Sequence, residues 1–114
     1  MNVLVLTDKA HNSTTKVINK MKLLPLVCNS ILSASDMLKH HSVDAIVIDR
    51  DHERVDSLEF VLNMREFDTS IPIFLIEDSI SDDLILKILR PQLGVETIPE
   101  NELPNRLKSL IRQN

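Results

Sequence analysis

Three runs of the sequence, Val3–Leu6, Ala45–Ile48 and Ile73–Ile76, are apolar at every position. A strand with one face in water alternates polar and apolar residues, so an unbroken apolar run must be covered on both faces. In a small chain that means a sheet sandwiched between helices. Leu23–Cys28 and Val95–Ile98 bring the runs to five, the fourth reaching back to Ile71, and polar-flanked amphipathic segments separate them. Strands alternating with helical patterns argue for βαβ units and a parallel sheet. Pro25 stands in the middle of the second run, and the fifth, Val95-Glu96-Thr97-Ile98, is mixed in polarity and followed by Pro99. Proline in a sheet belongs at an edge or a bulge. Strands two and five at the edges give the order 2-1-3-4-5, and right-handed crossovers then place helices one and five on one face and helices two, three and four on the other.

That order is the flavodoxin-like one, an α/β three-layer αβα sandwich. The helix signals agree with it. Ser33-x-x-Asp36 reads as a capping box before Met37 and Leu38, and Asp56-x-x-Glu59 as another before a stripe of Leu58, Val61, Leu62 and Arg65 whose apolar members face the core. Ser81, Asp82 and Asp83 suit the start of helix four, Leu84, Ile85, Ile88 and Leu89 follow, and Pro91 is expected to stop it. Asn101 can cap helix five, with Leu103, Leu107, Leu110 and Ile111 inward, and the first helix falls around Asn12–Met21.

A chain of 114 residues accommodates one domain, 1–114. No stretch approaches the length of a membrane span, the apolar opening is too short for a signal peptide, and the single cysteine, Cys28, cannot form an internal disulfide; a reducing, cytoplasmic setting is expected. A net charge of −4 with three Phe and no Trp or Tyr offers neither a phosphate-neutralising field nor stacking platforms, which argues against direct nucleic-acid binding. The lone Gly94 rules out glycine-rich phosphate loops, and no nucleophile elbow is present.

In open α/β sheets, functional residues collect beyond the carboxyl ends of the strands at the topological switch point, here between strands one and three. Strand one runs into Asp8, strand three into Asp49 with Asp51 close behind, and strand four into Glu77 and Asp78, so five acids crowd one rim. Asp8, Asp49 and Asp51 are oxygen donors of the kind that hold a divalent cation, and equally the makings of a solvated acidic rim without metal. Asp49 is open to two readings, a reactive carboxylate or a strand-end turn residue held by backbone N–H groups. His40-His41 reads as a solvated helix end, since adjacent helical residues point apart, and His11 and His52 have no partners at metal spacing.

The stretch Ile48-Asp49-Arg50-Asp51 through Asp56-Ser57-Leu58-Glu59 and Met64-Arg65 to Ile71-Pro72-Ile73-Phe74-Leu75-Ile76 resembles the receiver (CheY-like) domain of two-component response regulators, and the likeness extends over nearly the whole chain. The resemblance implies that Asp49 falls on the phosphoacceptor aspartate, Asp8 on the second of the paired acids that hold magnesium, and Asp51 on the position whose carbonyl also binds the metal. Departures fall on the switch positions. Thr7 replaces the first acid of the pair, Glu77 the hydroxyl after strand four, and Ile98 the lysine before the cis-proline motif, while Pro99 remains; Glu53 and Ser57 replace a proline and a glycine of the acceptor loop. Phosphoryl transfer depends on charges aimed at the equatorial oxygens. Isoleucine supplies none and a carboxylate repels, so the expectation is a non-enzymatic pseudo-receiver with at most weak magnesium binding. It would act through a protein partner or a homodimer, using the face of helix four, strand five and helix five, where Asp82, Asp83 and Glu96 stand opposite Arg90, Arg106 and Lys108. A working phosphoacceptor at Asp49 is the alternative. A second resemblance, carried by Ile48-Asp49-Arg50-Asp51, the Ile71–Ile76 strand and Glu100-Asn101-Glu102, is to the receiver-like N-terminal wing domain of pyridoxal-phosphate-dependent lysine, arginine and ornithine decarboxylases, which implies a role in oligomer assembly.

Overall fold

The structure, a computed structural model, describes residues 1–9, 13–49, 56–67, 70–76 and 84–113. Its elements alternate along the chain: β1 (Asn2–Leu6), α1 (Ser13–Lys20), β2 (Leu24–Cys28), α2 (Ile31–His40), β3 (Ala45–Ile48), α3 (Ser57–Phe67), β4 (Ile73–Ile76), α4 (Leu84–Leu93), β5 (Val95–Ile98), a short 3₁₀ turn (Glu100–Glu102) and α5 (Leu103–Gln113). The five strands form one parallel sheet in the order β2-β1-β3-β4-β5, with Val3 beside Ala45, Ile46 beside Ile73 and Ile73 beside Val95.

Alternation along the strands divides the core in two. Leu4, Leu6, Ile46, Ile48, Ile73 and Leu75 point toward one face, where they pack with Ala34 of α2 and Phe60, Val61 and Met64 of α3, and Leu93 of α4 closes the layer. Val3, Val5, Val47, Phe74, Ile76 and Ile98 point the other way, onto Ile18 of α1 and Leu103 and Leu107 of α5. The expected distribution of helices over the two faces is therefore observed. The edge position of β2 shows in its first residue, Leu24, which is 53% exposed.

Several local signals resolve differently. Helix α2 starts two residues ahead of Ser33: Ser30 is its N-cap, and the Ser33 N–H donates to the Ser30 hydroxyl at 3.0 Å. Asp56 caps α3 as expected, its Oδ1 accepting from the Leu58 and Glu59 N–H groups at 2.9 and 3.1 Å. On α3 the buried residues are Phe60, Val61 and Met64, while Leu62 faces out, a rotation that the mixed apolar pattern allowed. Pro91 does not end α4; the helix runs on to Leu93, and Gly94, at φ 68°, reverses the chain in the left-handed conformation that glycine adopts freely. The Arg65 guanidinium finishes that helix end. Its Nε donates to the Leu93 carbonyl (2.6 Å), Nη2 to the Gly94 carbonyl (3.2 Å) and Nη1 to the Ile71 carbonyl (2.7 Å), supplying partners that terminal carbonyls otherwise lack. Asn101 lies inside the 3₁₀ turn, with Pro99 as that turn's N-cap, and Ile111 is 44% exposed instead of inward. Ser81, Asp82 and Asp83 lie outside the described residues. Among the described residues no helix is long and apolar enough to cross a membrane.

Candidate functional site

The ends of β1 and β3 lie side by side, and the ladder continues one residue past each: the Thr7 N–H donates to the Cys28 carbonyl at 2.9 Å and the Asp49 N–H to the Leu6 carbonyl at 3.0 Å. This fixes the backbone of both residues and aims their side chains at each other across the switch point. The Thr7 hydroxyl lies 3.0 Å from Asp49 Oδ2 and 3.3 Å from the Lys9 carbonyl; its one proton goes to the nearer, charged acceptor. The same oxygen accepts the Lys9 N–H at 3.1 Å, a turn that sets its direction. From the first turn of α1, the Thr14 hydroxyl donates to Asp49 Oδ1 at 2.9 Å.

Each oxygen of the Asp49 carboxylate thus accepts a threonine hydroxyl, and the residue is only 2% exposed. A carboxylate taken out of water is costly unless donors replace the lost hydration. Thr7, Thr14 and Thr15 are buried alongside, and placement against the start of α1 adds the favourable end of the helix dipole. The arrangement welds β1, α1 and β3 through one acid.

Asp8 is exposed, so the structure separates the two acids in environment: Asp49 faces inward and Asp8 faces water. Asp51, Glu77, Asp78, His11 and His52 lie outside the described residues. Ile98 is buried in the layer between the sheet and helices α1 and α5, where it packs with Leu103 and Leu107. The described residues contain no cis peptide bond, so Pro99 follows a trans bond. Magnesium needs several hard oxygen ligands in near-octahedral array. Thr7 brings no charge, no group of three or more metal-ligating side chains is found among the described residues, and Asp51, the third ligand expected, lies outside them.

Cys28 is buried on β2, its thiol 3.5 Å from the Val5 carbonyl, and burial pushes its pKa up from 9.0 to about 12, which leaves it an inert core residue. His40 lies 3.5 Å from Asp36 in an exposed i, i+4 pair. On the face of α4, β5 and α5, Ile88 is 65% exposed, Arg90 donates to the Thr97 hydroxyl, and Arg106 pairs with Glu96 within the chain. Two of the cations expected to reach across to another subunit therefore have partners at home. Thr14 was not singled out from the sequence; a Thr-Thr pair opening the helix that follows strand one is the signal that could have found it.

No family model matches the sequence, and no curated protein matches it. Solved structures do match. The receiver domain of NtrC4 from Aquifex aeolicus superposes with a TM-score of 0.75 at 18% identity, covering 97% of this chain and 96% of that one. A two-component response regulator from Clostridium difficile gives 0.76 at 15%, covering 98% and 96%. The Francisella response regulator 1452 receiver domain gives 0.70 at 20%, covering 98% and 97%. The fold is the receiver fold. At 15 to 20% identity the likeness speaks for architecture, and within the receiver architecture Asp49 ends the central strand β3, at the switch point of the sheet.

Proposed function

We propose that this receiver-fold chain, taken as one unit over residues 1–114, is a regulatory module that works by protein contact and without phosphorylation of Asp49, and that it is not an enzyme. One observation carries the reading: the Asp49 carboxylate is buried, with a threonine hydroxyl on each oxygen at 3.0 and 2.9 Å. A phosphoryl donor must reach a carboxylate oxygen, and here each oxygen already spends one of its acceptor sites on a threonine hydroxyl inside a buried pocket. Supporting features lie at the other switch positions. Thr7 stands as a neutral hydroxyl donor where a second acid would raise metal affinity, and Ile98 sits in the core, where it brings no charge to the rim. In the sequence Glu77 follows β4 directly, a carboxylate at the position where the resemblance implies a hydroxyl.

The contact surface of this reading, to a protein partner or a second copy, is the face of α4, β5 and α5. Ile88 offers it an exposed apolar residue, and the Glu96–Arg106 pair would have to exchange partners to serve between subunits. The test is incubation of the full chain with acetyl phosphate, and separately with beryllofluoride, in the presence of Mg²⁺. Intact mass and amide NMR spectra are expected to stay unchanged. A saturable phosphoryl adduct on Asp49, or a saturable spectral change around β3, would overturn the proposal in favour of a phosphoacceptor.

A further inference from the structure

Charge is segregated in this molecule. Helices α1 and α5, neighbours on one face of the sheet, carry Lys16, Lys20, Arg106, Lys108 and Arg112, five of the chain's 13 basic residues, and none of its 17 acidic ones. Between them runs a groove of about 500 Å³ lined by Val17, Lys20 and Met21 of α1 and its end, and by Pro104, Lys108 and Ile111 of α5. The spacing i, i+3, i+4 on one helix and i, i+4, i+7 on the other makes each wall a continuous stripe. Its floor is apolar, with Ile111 44% exposed, and one lysine stands on each wall. The ion pairs among the described residues are His40–Asp36 and Arg106–Glu96, and neither lysine takes part in them.

We infer that this groove is a docking site for an amphipathic helix of a partner protein, one that flanks its apolar stripe with Asp or Glu. A trough between two neighbouring helices is the shape a third helix fills, with apolar anchors on successive turns seated on the floor. Carboxylates beside that stripe would meet Lys20 and Lys108, whereas a helix flanked by basic residues would bring like charges together and be rejected. A bilayer is the poorer occupant, because membrane binding needs an apolar face that protrudes into the acyl region, and this one is recessed between two helices. The inference is independent of the state of Asp49, which lies at the rim and contributes nothing to the groove.

The test uses the full ¹⁵N-labelled chain and a fluorescent synthetic helix of about five turns, with Leu on its apolar stripe and Glu on the flanks, beside a twin in which Lys replaces Glu. The Glu peptide is expected to bind saturably, with amide shifts confined to α1 and α5, and to weaken with added salt. The double variant Lys20→Glu/Lys108→Glu should lose affinity for it by about tenfold or more and gain affinity for the Lys twin. Ile111→Asp alone should also weaken binding, and because all three residues project from helix surfaces, circular dichroism melts should match the parent chain. Absence of saturable binding, equal binding of the twin, or affinity untouched by the double reversal would overturn the inference. So would sedimentation of the chain with phosphatidylglycerol vesicles when the Glu peptide does not bind.

Discussion

Replacing Thr14 with valine keeps a β-branched shape of nearly the same volume and removes one hydroxyl. In the native chain that hydroxyl is fully buried and donates to Asp49 Oδ1 at 2.9 Å. Valine leaves a buried carboxylate oxygen short of a donor, and hydrogen bonds to charged groups contribute about 1.5–3 kcal/mol. A domain of this size loses roughly 4 °C of Tm per kcal/mol, so T14V should melt roughly 6–12 °C lower. Urea unfolding gives the free energy directly, with the m-value checking that the folded state keeps its compactness. The decisive comparison is the same substitution in an Asp49→Asn background. There the acceptor is neutral and the loss should shrink to about 1 kcal/mol or less, a coupling a double-mutant cycle reads out. A loss below about 0.5 kcal/mol, or an equal loss in both backgrounds, would refute the view that the threonines hold the Asp49 carboxylate in place.

Other outcomes follow from features away from the rim. Gly94→Ala puts a side chain at φ 68° and a Cβ within 2.9 Å of Arg65 Nη2, so urea unfolding should show a loss of about 1–2 kcal/mol from the backbone alone and more as Arg65 gives way; unchanged stability would contradict this. The Cys28 thiol has a folded pKa of about 12 against 9.0 when unfolded. Its contribution is whole below pH 9.0 and declines as the pH climbs toward 12, because only the unfolded chain releases the proton. The stability gap between the native chain and Cys28→Ala should therefore narrow by about 1.4 kcal/mol per pH unit above 9, and a gap that stays flat would contradict it. Asp56→Ala removes the acceptor of the Leu58 and Glu59 N–H groups and should cost about 0.5–2 kcal/mol in the same assay.

What the sequence reveals here is set by how local each signal is. The apolar runs and Pro25 are statements about burial on both faces and about a missing donor, and these suffice to order the sheet. The Asp56 cap is a contact within three residues and was equally legible. Thr14 meets Asp49 across 35 residues; the Thr-Thr pair at the start of α1 marks the place, but nothing local names Asp49 as its partner. Thr7 read as the loss of an acid; in the fold it is also the gain of a hydroxyl donor. Ser30 and Ser33 are both acceptable caps, and the packing of Ala34 against the sheet chooses between them. Pro91 breaks a helix only when nothing beyond it rewards another turn; here Leu93 reaches the core and Arg65 receives the last carbonyls. The acids expected at Asp51, Glu77 and Asp78 fall outside the described residues, while Asp8 and Asp49 prove to occupy opposite environments.

The three-pronged grip of Arg65 also says what fastens α4. One side chain of α3 holds the Leu93 and Gly94 carbonyls together with that of Ile71, on the approach to β4, so three segments distant in sequence share a single guanidinium. A partner that pulled α4 away from β5 would have to strip all three carbonyls from Arg65 at once, and that common knot makes the seam between helix and strand part all together or stay shut.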